Sequence, residues 1–169
     1  MASVKELVFG DIAGELDNTR KMLEAVTDDH FDWKPHEKSW HIGGLAKHIA
    51  DIPSWCQMTL EMDGLDLGGM PPPPEPPTEM APILANFDAN RAKLEAAMEA
   101  ATEDTLSETW TLSMGDHEIM SGPKAVILRQ VGVSHMAHHR GQLTVFLRLL
   151  DIPVPQTYGP TADDQGGFG

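Results

Sequence analysis

Apolar residues recur every three or four positions in four stretches of the chain. This spacing puts them on one face of a helix and leaves most charged residues on the opposite face. We predict amphipathic helices over about residues 3–26, 41–62, 80–101 and 121–150. The pattern therefore favours an all-α protein built from four helices.

Two connections break this pattern in different ways. Residues 64–77 contain Gly68-Gly69 and four consecutive prolines, so they cannot continue a helix, and we predict an extended, polyproline-like crossover. Between Thr109 and Met120 the apolar period shortens around Gly115-Asp116, which indicates a small β-hairpin between the third and fourth helices. Four helices with one long crossover are typical of a four-helix bundle, in which binding sites form between facing helices.

The chain ends in a tail, residues 151–169, that is rich in proline, glycine and aspartate. Pro153 and Pro155 prevent the fourth helix from continuing, and Tyr158-Gly159-Pro160 is the only part of the tail that we expect to pack. With 169 residues, 41% of them hydrophobic, the chain suffices for one sizeable core but not for two ordinary domains. We expect a single domain over residues 1–169.

Charge and composition exclude several classes of function. The sequence has 12 Lys and Arg residues against 26 Asp and Glu residues, a formal net charge of −14 that would repel nucleic acid and anionic lipid. The single cysteine, Cys56, cannot form an internal disulfide, and the N-terminus lacks the apolar segment of a signal peptide. No apolar run approaches the roughly 18 residues that a membrane helix needs. We expect a soluble protein of the reducing cytoplasm.

Candidate chemistry lies in the fourth predicted helix. His135 and His139 are four residues apart, so on a helix their rings can reach one metal ion, whereas His138 is turned away. Eight histidines placed at random would give roughly 0.4 such pairs, so the spacing alone is a weak signal. Both residues continue an apolar stripe, as does His48 on the second helix. The apolar stripe of the fourth helix is read as Leu128, Gly132, His135, His139, Gln142, Phe146 and Leu149.

Three histidines facing one another across a bundle predict a metal site with an open coordination position. Such a site is typical of catalytic rather than structural ions, because a structural ion is usually closed off by four protein ligands. Zinc and nickel suit imidazole ligands, as do iron, cobalt and copper, and the residues do not choose among them.

Several pieces of the sequence, in a fixed order along the chain, resemble the DinB family, also known as DNA-damage-inducible proteins. They span most of the chain and include the three histidines. The pieces are Trp33-Lys34-Pro35, Ser39-Trp40, Ile42 to Ala50, His135 to Leu143, Leu147 to Leu150, Ile152 to Pro155 and Tyr158 to Asp163.

The resemblance implies a four-helix bundle that binds a divalent metal ion through His48, His135 and His139, and that forms a homodimer. Some members are enzymes that use low-molecular-weight thiols such as bacillithiol or mycothiol, as S-transferases or as an isomerase. We therefore expect a metal-dependent enzyme on small molecules, of the thiol S-transferase or hydrolase type, with zinc or nickel as the ion. A non-catalytic metal-binding stress-response protein is the alternative. Direct action on DNA, suggested only by the family's name, is opposed by the charge.

Other side chains near the histidines are weaker candidates. Asp51 could orient a ligand imidazole, and Gln142 and Arg140 could contact a ligand or a substrate, although each could equally be solvated or packed. Trp40 and Trp55 could form walls of a cavity, but aromatic residues at helical spacing are more often core.

The sequence departs from similar ones at the start of the second helix. His41 stands where serine or threonine is frequent, so we expect a weaker N-terminal cap, with Ser39 or water serving instead. Gly44 and Lys47 also differ from the acidic or apolar residues found nearby in similar sequences, and we expect them to alter the mouth of a cavity.

Overall fold

The computed structural model of the protein describes residues 2–71 and 77–165. The predicted all-α class, with a four-helix bundle and a small hairpin, is confirmed. No helix within these two ranges is both long and apolar enough to cross a membrane. The elements in chain order are α1 (Val4–Glu24), a 3₁₀ turn (Asp28–His30), α2 (Ile42–Glu61), β1 (Gly64–Asp66), a 3₁₀ turn (Leu67–Gly69), α3 (Met80–Ala100), α4 (Glu103–Ser107), β2 (Thr109–Met114), β3 (His117–Pro123), α5 (Lys124–Leu128), a π-helical segment (Arg129–His135) and α6 (Met136–Leu149).

Two of the long helices, α1 and α2, begin at side-chain caps. Ser3 precedes α1 and forms a capping box with Glu6: the Glu6 N–H donates to the serine hydroxyl, and the Ser3 N–H donates to the glutamate at 2.8 Å. His41 caps α2, since its Nδ1 accepts a hydrogen bond from the Gly44 N–H at 3.0 Å. The expectation that Ser39 or water would replace a weak cap at this position is therefore wrong, because an unprotonated imidazole nitrogen is itself a good acceptor.

One continuous apolar core lies between α1, α2, α3 and α6. The connection after α2 returns the chain to the end of the bundle where α2 starts, and there the Met80 N–H donates to the Asp28 carboxylate at 2.7 Å. Arg20–Asp88 and Arg91–Asp17 ion pairs join α1 to α3 on the outside. The largest fully buried side chains include Ile12, Leu16, Leu23, Leu45, Ile49, Ile52, Ile83, Phe87 and Leu94.

The start of the predicted crossover is a strand rather than an extended connection. β1 pairs in parallel with β2, with Gly64 opposite Thr111 and Leu65 opposite Leu112. A Cβ atom on Gly64 would lie 2.5 Å from the Thr111 carbonyl oxygen, so this close pairing requires glycine. The prediction for residues 64–77 is wrong in this part, because the pairing partner is far away in sequence; residues 72–76, with most of the proline run, lie outside the described residues.

The hairpin also includes residues 121–123, which we assigned to the fourth helix. β3 pairs with β2 as far as Pro123, and Ser121 lies opposite Thr111, so helical structure begins at Lys124 rather than near residue 121. Gly115 has φ = +58° in the connecting turn, a conformation that favours glycine.

The fourth helix is not uniform, and its buried stripe differs from the predicted one. Arg129–His135 is a π-helical segment, a feature often found at functional sites. The buried residues beyond it are Met136, Arg140, Leu143 and Leu147, whereas Leu149, predicted on the stripe, is 58% exposed. The histidines therefore lie beside the core stripe rather than on it, because Arg140, which looks like a surface residue in the sequence, occupies a core position.

The tail folds back onto the bundle through a different residue from the one predicted. Val154 is buried, while Tyr158 is 70% exposed. The Tyr158 hydroxyl bonds to Glu15 and Arg140, and the Arg140 guanidinium lies 5.1 Å from the centroid of its ring. Arg148 forms an ion pair with Asp163, and the Asp163 carboxylate also accepts from the Val154 N–H at 2.9 Å. Residues 166–169 lie outside the described part of the chain.

Candidate metal centre

Three imidazole rings from two helices meet at one point. His48 comes from α2, while His135 ends the π-helical segment and His139 lies one turn later in α6. The Nε2 atom of His48 is 3.2 Å from that of His135 and 3.0 Å from that of His139, and the last two are 2.7 Å apart. We call these three residues the histidine cluster. Among the described residues they form the one group of three metal-ligating side chains close enough to hold an ion.

The arrangement of the nitrogens fits a metal ion better than a hydrogen-bonded network. A neutral imidazole has one N–H and one lone pair, so three Nε2 atoms in mutual contact cannot all satisfy one another. A tetrahedral ion with metal–nitrogen bonds of about 2.0–2.1 Å holds its nitrogen ligands about 3.3 Å apart. The two separations from His48, 3.2 and 3.0 Å, are close to this value, and the 2.7 Å between His135 and His139 is shorter. The donor set is therefore that of a three-histidine site for a divalent cation.

The environment keeps the three rings neutral. Burial lowers the pKa of His48 to about 4, with further lowering by the neighbouring histidines and a small opposing effect from Asp51. Burial likewise lowers the pKa values of His135 and His139, and the proximity of His139 adds to the shift at His135. At neutral pH each ring therefore carries a lone pair for a cation.

Neighbouring side chains fix the orientation of the rings. The Nδ1 atom of His139 lies 2.8 Å from Oε1 of Gln142; an oxygen acceptor there selects the tautomer with the proton on Nδ1 and leaves Nε2 free as an acceptor. Trp40 contacts the His48 ring edge-on, with centroids 4.8 Å apart, and Trp55 stacks on His135 at 5.8 Å. Of the two readings open for the tryptophans, the structure supports walls of the site.

A large open cavity leads to the cluster from the solvent. Its volume is about 900 Å³, and its walls include Trp40, Lys47, His48, Asp51 and Leu67. A second hollow of about 260 Å³ reaches His139, and a third of about 310 Å³ reaches His135. A molecule in the large cavity can therefore reach the His48 ring, whereas the two smaller hollows reach His139 and His135.

The other residues proposed from the sequence lie in different environments. The Asp51 carboxylate lies in the cavity wall, where it binds the Lys47 ammonium at 2.8 Å and the Asn86 amide at 2.9 Å. Among the described residues, the Asp51 carboxylate makes no hydrogen bond to a ring nitrogen of the cluster, so the expected orientation of a ligand imidazole by Asp51 is not seen. Arg140 is 2% exposed and paired with Glu15, which removes it from the cavity.

Sequence reasoning missed the contribution of the segment after α2. Leu67 and Met70 line both the large cavity and the hollow at His135, and Gly44 and Lys47 lie in the wall of the large cavity. Only Gly44 and Lys47 carried a signal, as departures from similar sequences. Leu67 and Met70 belong to the stretch that composition presents as a simple connection, so no local pattern could have indicated them.

The fold and the donor set define a helical bundle with a three-histidine site suited to a divalent metal ion. A model of the DinB family matches residues 1–166, and the chain belongs to that family. It is 27% identical over 159 residues to the "uncharacterized protein YrdA" of Bacillus subtilis strain 168, covering 92% of this chain and 88% of the relative.

Two solved structures of DinB-like proteins share the fold. The first, from Bacillus cereus ATCC 10987, superposes with a TM-score of 0.67 at 23% identity, over 89% of this chain and 95% of its own. The second, YjoA from Bacillus subtilis, has the same TM-score at 19% identity, over 89% and 97%. At these identities the likeness concerns the fold alone.

Proposed function

We propose that the protein binds a divalent metal ion, zinc or nickel, through His48, His135 and His139 and uses it in an enzymatic reaction on a small molecule. The observation that carries the proposal is the convergence of three neutral Nε2 atoms beside an open cavity that has His48 in its wall. A structural ion would need no such access, whereas a reacting molecule does. The reaction class that we favour is thiol S-transfer or hydrolysis, with a low-molecular-weight thiol as cosubstrate in the first case.

A bound divalent ion would supply Lewis acidity. It would lower the pKa of a neighbouring thiol or water molecule to near neutrality. The chain's own residues supply the rest. Gln142 holds the tautomer of His139, and the indole rings of Trp40 and Trp55 pack against the imidazoles of His139 and His48. Lys47 and Asp51 present one charge of each sign in the cavity wall, where they can bind polar groups of a substrate.

The metal is tested directly by elemental analysis of protein purified without a histidine tag. We expect about one divalent ion per chain in the wild type, and none in the variant His48→Ala/His135→Ala/His139→Ala. The variant His138→Ala is the matched control, because that ring is exposed on the same helix and should leave the stoichiometry unchanged. A wild type that carries no stoichiometric metal under any loading condition contradicts the proposal.

The reaction class is tested with the metal-loaded protein. Conjugation of electrophiles is assayed with several cellular thiols, and hydrolysis with a panel of small esters and amides. Turnover that disappears in the triple histidine variant supports an enzyme. Stoichiometric metal without turnover on any of these substrates would favour the alternative, a non-catalytic metal-binding stress-response protein.

We also propose that the protein forms a homodimer. Val145 and Leu149 support this, because they are exposed apolar side chains one turn apart on the outer face of α6. Light scattering after size exclusion should give twice the chain mass of 18.5 kDa. A monomeric mass over the whole concentration range would rule the dimer out.

A further inference from the structure

The hollow at His135 is an apolar chamber beneath the three-stranded sheet. The register of the strands places Leu65 opposite Leu112 and Leu112 opposite Met120, and all three side chains line the chamber. They form a row across the sheet. Trp55 and Trp110 close the chamber on the helical side and at its end, and the volume is about 310 Å³.

The chamber lies next to the large cavity and shares wall residues with it. Trp55, Leu67 and Met70 line both spaces, and His135 lies at the edge of the chamber. The same Trp55 ring stacks on His135 and contacts His48 edge-on at 5.1 Å. Because His135 itself lines the chamber, a substituent on a molecule at the histidine nitrogens would enter the chamber beside Trp55.

The walls of the chamber fix the chemistry of that substituent. No charged side chain lines the chamber within the described residues. The hydroxyl of Thr59, which faces it, already donates to the Trp55 carbonyl at 2.9 Å. An occupant thus gains from burial of apolar surface and would lose hydration if it were charged. Methionine at two of the wall positions lets the chamber adapt its shape, since the thioether is flexible and attracted to aromatic rings.

We propose that this chamber is a specificity pocket that receives an aromatic or branched apolar group of the substrate. The inference rests on the proposed function, because the reacting part of the same molecule would lie at the histidine cluster. A dry cavity of about 150 Å³ accepts benzene. A chamber of about twice that volume suits a group the size of a fused two-ring system.

The first test measures binding to the chamber without metal. Indole is titrated into the metal-free protein and followed by saturation-transfer NMR and calorimetry. We expect Met120→Trp, which fills the chamber, to weaken binding by roughly tenfold or more. Met114→Trp is the matched control, because it makes the same change at an exposed position of the same hairpin and should bind indole like the wild type. Leu112→Trp serves as a second filling variant, and circular dichroism shows that each variant is folded.

The second test connects the chamber to the histidine cluster. In the zinc-loaded protein, 2-naphthohydroxamate should bind at least roughly tenfold tighter than acetohydroxamate, and Met120→Trp should remove this difference without weakening acetohydroxamate. Equal binding of the two hydroxamates to the wild type, or indole binding unaffected by both filling variants, overturns the chamber proposal. If the protein binds no metal, the proposed function fails on the metal analysis, and the indole titration alone decides whether the chamber binds apolar groups.

Discussion

Adjacent residues of α6 belong to two polar clusters of opposite kind. His139 is part of the histidine cluster, whereas Arg140 is buried and contacts Glu15, Thr19 and Tyr158 in what we call the arginine cluster. In the arginine cluster the guanidinium pairs with the Glu15 carboxylate, which also accepts from the Tyr158 hydroxyl at 2.7 Å.

The two clusters differ in whether their polar groups have hydrogen-bonding partners within the protein. Every charged group of the arginine cluster has a partner within the protein, so this cluster stabilises the bundle and has nothing left to offer a ligand. The histidine cluster has three Nε2 atoms in mutual contact, and three neutral imidazoles cannot satisfy one another there. A buried polar group thus indicates function only when the fold does not provide it with a hydrogen-bonding partner.

The largest expected effect breaks the arginine cluster. Arg140→Met leaves the Glu15 carboxylate, only 7% exposed, without its counter-charge. We expect the free energy of unfolding to fall by about 3–5 kcal/mol in urea titrations, as is usual when one partner of a buried ion pair is removed. The double variant Glu15→Gln/Arg140→Met should recover part of this loss. A change below about 1 kcal/mol in Arg140→Met would show that the pair is not a stabilising element.

The second prediction concerns the pH dependence of the metal-free protein. His48 has a pKa of about 4 in the folded chain and an ordinary value near 6.5 when unfolded, so the unfolded state binds the proton first as the pH falls. The contribution to stability is complete above about pH 6.5 and is lost between there and about pH 4. Over this pH range we expect the free energy of unfolding to fall by about 1–2 kcal/mol less in His48→Gln than in the wild type, after allowance for solvent screening at a half-buried site. Parallel stability–pH curves for the two proteins would contradict the assignment.

The third prediction sharpens the role of Gln142 beside the histidine cluster. Gln142→Ala removes the acceptor for Nδ1 of His139, which we expect to weaken zinc binding by about tenfold in competition with a chelating dye. Gln142→Glu keeps an oxygen acceptor and should bind zinc like the wild type. Equal zinc affinity in Gln142→Ala and the wild type would mean that the ring is held by packing against Trp40 alone.

The smallest expected effect concerns the tail. Tyr158→Phe removes a hydroxyl that donates to Glu15 but leaves the Arg140–Glu15 pair in place. We expect a loss of about 1 kcal/mol in the free energy of unfolding, the usual contribution of one hydrogen bond, and no change in zinc content. A loss as large as that of Arg140→Met would mean that the tail, rather than the ion pair, holds this side of the bundle together.

Much of the fold could be predicted from local patterns. The long helices and the hairpin follow from apolar spacing and from turn residues such as Gly115, because both signals depend on neighbours within a few positions. β1 could not be predicted, since Gly64 and Leu65 become a strand only by pairing with Thr111 and Leu112, more than 40 residues later. The same pairing builds the floor of the apolar chamber.

The candidate site could be predicted only in part. The spacing of His135 and His139 indicated a shared face, and the apolar stripe of the second helix indicated His48. The resemblance to the DinB family implied the same three residues. The position of that face relative to the core was wrong, because Arg140 was read as a surface or ligand-contacting residue. Its burial depends on Glu15, a residue 125 positions away in the sequence.

The sequence by itself determined which segments are helical, the family of the chain and the one-turn separation of His135 and His139, since these depend on local periodicity and on short motifs. Only the tertiary structure decided which polar residues keep unused hydrogen-bonding capacity. In the folded chain Glu15 pairs with Arg140, and the histidines lie at the edge of the core. Leu65, Leu112 and Met120 lie together beneath the sheet. The reason is that burial and charge pairing are properties of contacts between distant segments, which local patterns do not encode.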